Sequence, residues 1–166
     1  MYFGISDDGM YQLTHPGLAD IDPEDFTFVA QYLENGSFGD RMINEEDSRE
    51  GFAQCMAAWV SAEKLGMNDL MDHVVEKLEQ LENRNLWDVL AFACLVYRSP
   101  GISLPAQIRA KELVATDISL HYWDYVEDDS LSILFMERLK DLPELERDIS
   151  VKRIPMLNAQ LEEDAG

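Results

Sequence analysis

The chain has 166 residues, 46% hydrophobic and 10% aromatic; that length suits one domain, and the apolar content is enough to offset the entropy of ordering a backbone, which excludes a disordered chain. Thirty-three Asp and Glu stand against thirteen Lys and Arg, a formal net charge of −20, so nucleic acid and anionic membrane surfaces would be repelled. A basic protein is the charge-matched partner, although the same imbalance also serves simply to keep a surface solvated.

The N-terminal residues Met1 to Asp8 show no basic region followed by an apolar run. Met10 to Thr14 alternates as a short strand does and ends at His15-Pro16-Gly17. Asp22 can cap free amides, Pro23 suits a first turn, and Glu24 and Asp25 favour the positive end of a helix dipole. The first helix therefore starts there and carries Phe26, Val29, Ala30 and Leu33 to a stop at Asn35-Gly36. The run Asn44-Glu45-Glu46-Asp47 reads as an exposed acidic loop, and Asp47 with Glu50 has the spacing of a capping box for a helix over 49–65. Phe52, Met56, Trp59 and Val60 share its inner face, and Leu65-Gly66 ends it. Asn68 caps a helix over 67–82 with Leu70, Met71, Val74, Val75, Leu78 and Leu81 inward, joined too tightly to the preceding helix to be anything but its neighbour.

Asn85 with Asp88 opens a helix over 85–98, apolar on nearly every side from Val89 to Tyr97, and Ser99-Pro100-Gly101 breaks it. Ser103 and Pro105 start a fifth helix over 103–124 that carries Ile108, Leu113, Val114, Ile118, Tyr122 and Trp123. A sixth runs from about Ser130 to Leu142 with Leu131, Leu134, Phe135 and Leu139 inward. Beyond Pro143 one more turn around Leu145 and Ile149 is expected, and residues 158–166 read as an acidic flexible tail. No apolar stretch reaches the ~18 residues of a membrane span, and Cys55 and Cys94 lack disulfide or metal spacing. Buried free thiols in an intracellular, soluble protein of cytoplasm or nucleus are the expectation.

Two segments resemble the BTB/POZ family, particularly its fungal form. Asp22-Pro23-Glu24-Asp25-Phe26, leading to Gln31-Tyr32-Leu33-Glu34-Asn35-Gly36-Ser37-Phe38, is similar to the family's helix ending in tyrosine, leucine, tyrosine, threonine and glycine, with Glu34 and Asn35 departing from it. Ala57-Ala58-Trp59-Val60-Ser61-Ala62-Glu63-Lys64-Leu65-Gly66-Met67-Asn68-Asp69-Leu70 is similar to its alanine-rich helix, tight turn and following helix. Tyr97-Arg98-Ser99-Pro100, with Ser103 and Arg109, resembles a later stretch of the fungal form. The resemblance implies a BTB/POZ domain lacking its N-terminal part, so its usual dimer interface is not implied with it. An acid two positions after a hydrophobic residue marks members that recruit cullin ligases. The aligned Gln54-Cys55-Met56 has none, which argues against that role.

The histidines His15, His73 and His121 are far apart along the chain. His15 reads as a turn residue and His73 as a solvated helix residue with Lys77 one turn on, while Asp117 and Asp124 flank His121 at one-turn spacing. No EF-hand, Walker, dinucleotide, nucleophile-elbow or Cys-x-x-Cys pattern occurs, so neither a metal nor a cofactor is expected.

These features predict a mainly α fold, a helical array like the C-terminal part of a BTB/POZ domain with additional C-terminal helices and at most one or two short N-terminal strands. Residues 1–82 would form the partial BTB/POZ-like segment, 83–157 a helical extension packed on it, and 158–166 the tail. The expected function is protein–protein interaction, as an adaptor or scaffold with no chemistry of its own. Its partner would be a protein, a second copy of itself or another BTB-type chain among the candidates. Tyr122, Trp123 and Tyr125 are candidate exposed anchors, because three aromatics within four residues cannot all face one core, and Tyr32, Phe38 and Leu65 join them, because the missing first half of a BTB/POZ domain would leave part of that surface uncovered. Two alternatives stand beside it: a small enzyme with a site at His121 and its neighbouring acids, and an acidic decoy for a basic protein.

Overall fold

The computed structural model describes residues 2–5, 11–39, 45–98 and 104–165. The fold is mainly α, as the periodicities predict, with a short strand hairpin ahead of the helices. It divides into two compact units, Met1–Asn83 and Arg84–Gly166.

In the first unit, β1 (Tyr2–Ile5) pairs antiparallel with β2 (Tyr11–Thr14), placing Tyr2 opposite Thr14 and Ile5 opposite Tyr11. Met10, read as the start of the strand, lies outside the described residues. His15 is the turn residue expected: its Nδ1 accepts from the Gly17 amide at 2.9 Å and caps the short 3-10 turn Pro16–Asp20. Helix α1 (Pro23–Asn35) opens on Asp22, whose Oδ1 accepts from the Glu24 amide at 2.9 Å, and ends at Gly36.

Helix α2 (Glu45–Leu65) starts earlier than the periodicity predicts. Glu45, Glu46 and Asp47 are its first turn rather than a loop, so Asp47 stands inside the helix and not at its N-cap. Acids are favoured at a helix N-terminus by the dipole, which makes this run as good a helix start as a loop. Asn44 lies outside the described residues.

Gly66 adopts a left-handed φ of 66° at the end of α2. Its amide donates to the Glu63 carbonyl (3.3 Å) and the Met67 amide to the Ala62 carbonyl (2.9 Å), which satisfies two of the four carbonyls left free at the end of the helix. Helix α3 (Asn68–Gln80) then packs back on α2. Asn68 is its first residue and not its cap; the cap position is Met67, which makes no side-chain bond. The inward residues read from α3 are all buried, as are Phe52, Ala58, Trp59 and Ala62 of α2, on which α3 packs, and Val29 of α1, which packs on α2 in turn. Trp59 is wholly enclosed, and its indole donates to Glu63 at 3.1 Å.

In the second unit, Asn85 caps α4 (Leu86–Arg98) by accepting from the Trp87 amide at 3.0 Å. Val89, Leu90, Phe92, Ala93 and Val96 are buried, as its all-round apolar character predicts. The break at 99–101 and Ser103 lie outside the described residues. Helix α5 (Pro105–Leu120) stops short of residue 124; the chain bends at His121 and α6 (Tyr122–Glu127) follows as a separate short helix. The bend accompanies full burial of Tyr125, which stacks on Phe135 (4.7 Å) and donates its hydroxyl to the Leu86 carbonyl (2.8 Å).

Asp128 holds the turn that leads into α7 (Ser132–Asp141), accepting from the amides of Ser130 and Leu131 at 2.9 Å each. The Ser130 hydroxyl and these amides hold its carboxyl below the usual range. Helix α8 (Pro143–Ala165) replaces both the single turn and the flexible tail that the sequence suggested. Leu145 and Ile149 are buried and anchor its first half. From there Leu, Gln, Ala and Glu extend a helix that already exists at little cost per residue. Pro155 stands inside α8 and has no amide hydrogen, so the Val151 carbonyl loses its partner one turn on.

Two substitutions test this packing by chemical denaturation. Trp59→Ala is expected to cost about 3–5 kcal/mol. Gly17→Ala is expected to cost about 1–3 kcal/mol, because a Cβ there would lie 2.5 Å from the Lys64 carbonyl oxygen, a backbone atom that cannot swing aside.

Candidate functional site

The six candidate anchors do not share one surface. Phe38, Leu65 and Tyr125 are buried, which corrects the expectation that they are exposed. Leu65 lies in the end of α2 on which the 3-10 turn packs, Phe38 folds onto α3, and Tyr125 fills the core of the second unit. Tyr32 and Tyr122 are half-buried, and Trp123 is 56% exposed.

In the first unit, Tyr32 and Phe38 meet over a residue read from sequence as solvated. The His73 ring packs against Tyr32 (5.4 Å) and edge-on to Phe38 (5.7 Å), and its Nε2 shares a 3.1 Å hydrogen bond with the Ser37 hydroxyl. The Lys77 ammonium lies over the Phe38 ring and donates to the Phe38 carbonyl. Burial first, and then Lys77, push the His73 pKa below its ordinary value against the opposing pull of Glu76. Serine beside imidazole is chemically a nucleophile with a base. Among the described residues, however, no side chain bonds the other ring nitrogen to orient it, and what the pair does in this geometry is fasten the 36–39 turn to α3.

The acids proposed around His121 are not gathered. His121 Nδ1 lies 3.1 Å from Asp124 on the exposed surface, whereas Asp117 is buried and bonded to Arg84 at 2.8 Å. Asp117 and Asp88 face the Tyr125 hydroxyl, and burial followed by these two charges drives its pKa above the usual range. Among the described residues no group of three His, Cys, Asp or Glu side chains could hold a metal ion.

The second unit carries an exposed apolar surface. Among the residues whose burial is described (15–39, 49–98 and 104–165), ten large hydrophobic side chains are exposed, and these ten lie in Arg84–Gly166. Four of them, Val151, Ile154, Leu157 and Leu161, are 40% to 67% exposed and recur along one side of α8 at helical spacing. Beside them the Arg153 guanidinium stacks 3.5 Å over Tyr122 and 5.5 Å from Trp123. Leu157, one turn after Arg153, continues the patch from that aromatic pair onto the stripe. The sequence reading missed these α8 residues. Their i, i+3, i+7 spacing was present, but Pro155 in their midst and the acids behind them resemble the end of a helix.

Charge is distributed the other way. Residues 1–83 hold four Lys and Arg against eighteen Asp and Glu, residues 84–166 nine against fifteen. No helix among the described residues is long and apolar enough to cross a membrane.

A scan against protein-family models finds no match for the chain, and searches of curated proteins and of solved structures find none either.

The depressed His73 pKa means that the folded chain binds this proton less readily than the unfolded one, whose histidine titrates near the ordinary value of 6.5. Its contribution to stability is complete above about pH 6.5 and declines as the pH falls through and below it. Denaturation midpoints of the wild type should therefore fall between about pH 7 and 5.5 more steeply than those of His73→Gln. Cys55 and Cys94 are both free and buried, and burial pushes the Cys55 thiol up to about 12. Neither should react with an alkylating reagent in the native protein at mildly alkaline pH, and both should react in denaturant.

Proposed function

We propose that the chain is a protein–protein interaction module, an adaptor or scaffold of the BTB/POZ type that residues 22–80 resemble, and that it engages its partner through the second unit. The observation that carries this reading is the stripe Ile154, Leu157 and Leu161 on α8, continued by Trp123. Burying such side chains is worth on the order of 1.5–3 kcal/mol each, and a helix that holds three of them in water at regular spacing is shaped for a groove or another helix. Trp and Arg side by side, as at Trp123 and Arg153, are the residue types that most often dominate binding energy at protein interfaces.

A second reading has one observation in its favour. The fourteen-charge excess of acid in residues 1–83 suits a decoy for a basic protein. Binding by that route would weaken steeply with salt and survive loss of the α8 stripe.

A photo-crosslinking amino acid placed at Leu157 or at Trp123 tests the first reading in cells. Discrete protein adducts are expected from both positions and none from the same group at exposed Glu79 on α3, a control in the other unit. If neither position yields an adduct, the α8 surface is not where the chain binds.

A further inference from the structure

On the interaction reading above, we infer that the partner of α8 is a second copy of this chain, paired antiparallel along the Ile154–Leu161 stripe. Three features of α8 lead to this occupant.

The first is that α8 outruns its support. Among the described residues none after Ile149 is buried, and Pro155 removes a backbone hydrogen bond within that stretch. Lys152 pairs with Glu112 and Arg153 stacks on Tyr122, but beyond them a helical half with a proline and no buried side chain is marginal in water. Its second half needs something to lie against.

The second is the order of its charges. Lys152 and Arg153 come at one end of the stripe, and Glu162, Glu163 and Asp164 at the other. Those acids fall in the last turn of α8, where no basic residue accompanies them and the helix dipole is itself negative. Cations from a partner would relieve both. An antiparallel copy of α8 supplies them at that point, whereas a parallel copy would set like charge against like.

The third is register. Arg153 and Asp164 are eleven residues apart, about three turns, so they lie on the same edge of the stripe with Leu157 between them. A two-fold axis passing near Leu157 and Asn158 places Ile154 of each chain opposite Leu161 of the other. The same axis brings Arg153 toward Asp164 across the seam, twice. Arg153 is stacked face-on over Tyr122, which leaves the edge of its guanidinium to meet a carboxylate. Such a helix pair, with Trp123 at its margin, buries on the order of 1,000 Å² in total, the low end for a specific interface, so the association is reversible.

Sedimentation velocity of the purified full-length chain, over concentrations from low micromolar to several hundred micromolar, reads the result directly. The wild type should shift from monomer to dimer with concentration, and its helical circular dichroism should rise in step. Leu157→Asp with Leu161→Asp should stay monomeric throughout, with a denaturation midpoint close to that of the wild type at its lowest concentration, because both side chains are exposed. Arg153→Glu and Asp164→Arg should each raise the dissociation constant about tenfold or more. An equimolar mixture of the two should recover a dimer, since each opposed pair is again of unlike charge. Local damage from removing the Arg153 stack would not be repaired by mixing. A wild type that stays monomeric while Leu157 crosslinks to another protein overturns the second copy and leaves the interaction reading standing. A dimer indifferent to the Leu157 and Leu161 changes, or no recovery on mixing, overturns the α8 pairing.

Discussion

The reversal at Gly66 is the constraint on which the first unit depends. Two helices with apolar faces can bury them against each other only if the chain turns back within two residues, and a left-handed φ at that point is what allows it. With the turn made, Ala58 and Ala62 let the helices approach closely enough to enclose Trp59, and α1 and the 3-10 turn close the remaining sides. The close approach of Gly17 to the Lys64 carbonyl shows how tightly the 3-10 turn is drawn onto the end of α2.

Aromatic packing organises the second unit. Tyr125 is simultaneously stacked on Phe135 and hydrogen-bonded to the backbone at the start of α4, so it ties α6, α7 and α4 together. Tyr122 packs edge-on with Phe135, and Arg153 covers Tyr122 from α8. Core and candidate interface are therefore one aromatic series. Tyr125 stands at its buried end and Trp123 at its wet end, with Arg153 leading from there to the α8 stripe.

Much of this architecture was legible in the sequence where local chemistry and periodicity agreed. Asp22 and Asn85 cap helices as their side chains suggest, Gly36 and Gly66 stop them, and the apolar series in α3 and α4 face inward. Reading failed where a local signal admits two outcomes. Acids at 45–47 suit a loop or a first helical turn, and only tertiary context chooses. A break after Leu120 has no glycine or proline to announce it, because the bend follows the burial of Tyr125. At the candidate site, the expectation that one aromatic among Tyr122, Trp123 and Tyr125 faces water holds for Trp123. Phe38 and Leu65 could not be assigned correctly, since whether a loop phenylalanine or a terminal leucine is covered depends on residues dozens of positions away. His73 failed for the same reason: its neighbours Tyr32, Ser37 and Phe38 come from α1 and the turn after it.

The uneven charge of the chain bears on the speed of association as much as on its strength. At the formal count of −20, any acidic molecule approaching this one, another copy included, meets a long-range barrier before apolar contact begins. That barrier reaches roughly 10 Å at 0.1 M salt and about three times as far at a tenth of that concentration. Encounter between like copies is therefore slow in dilute buffer and quickens as ions are added, the reverse of the behaviour of oppositely charged partners. A basic molecule experiences the opposite sequence: it is drawn in quickly, chiefly by residues 1–83, whatever it then finds to adhere to. The same sequence thus separates what governs arrival from what governs residence.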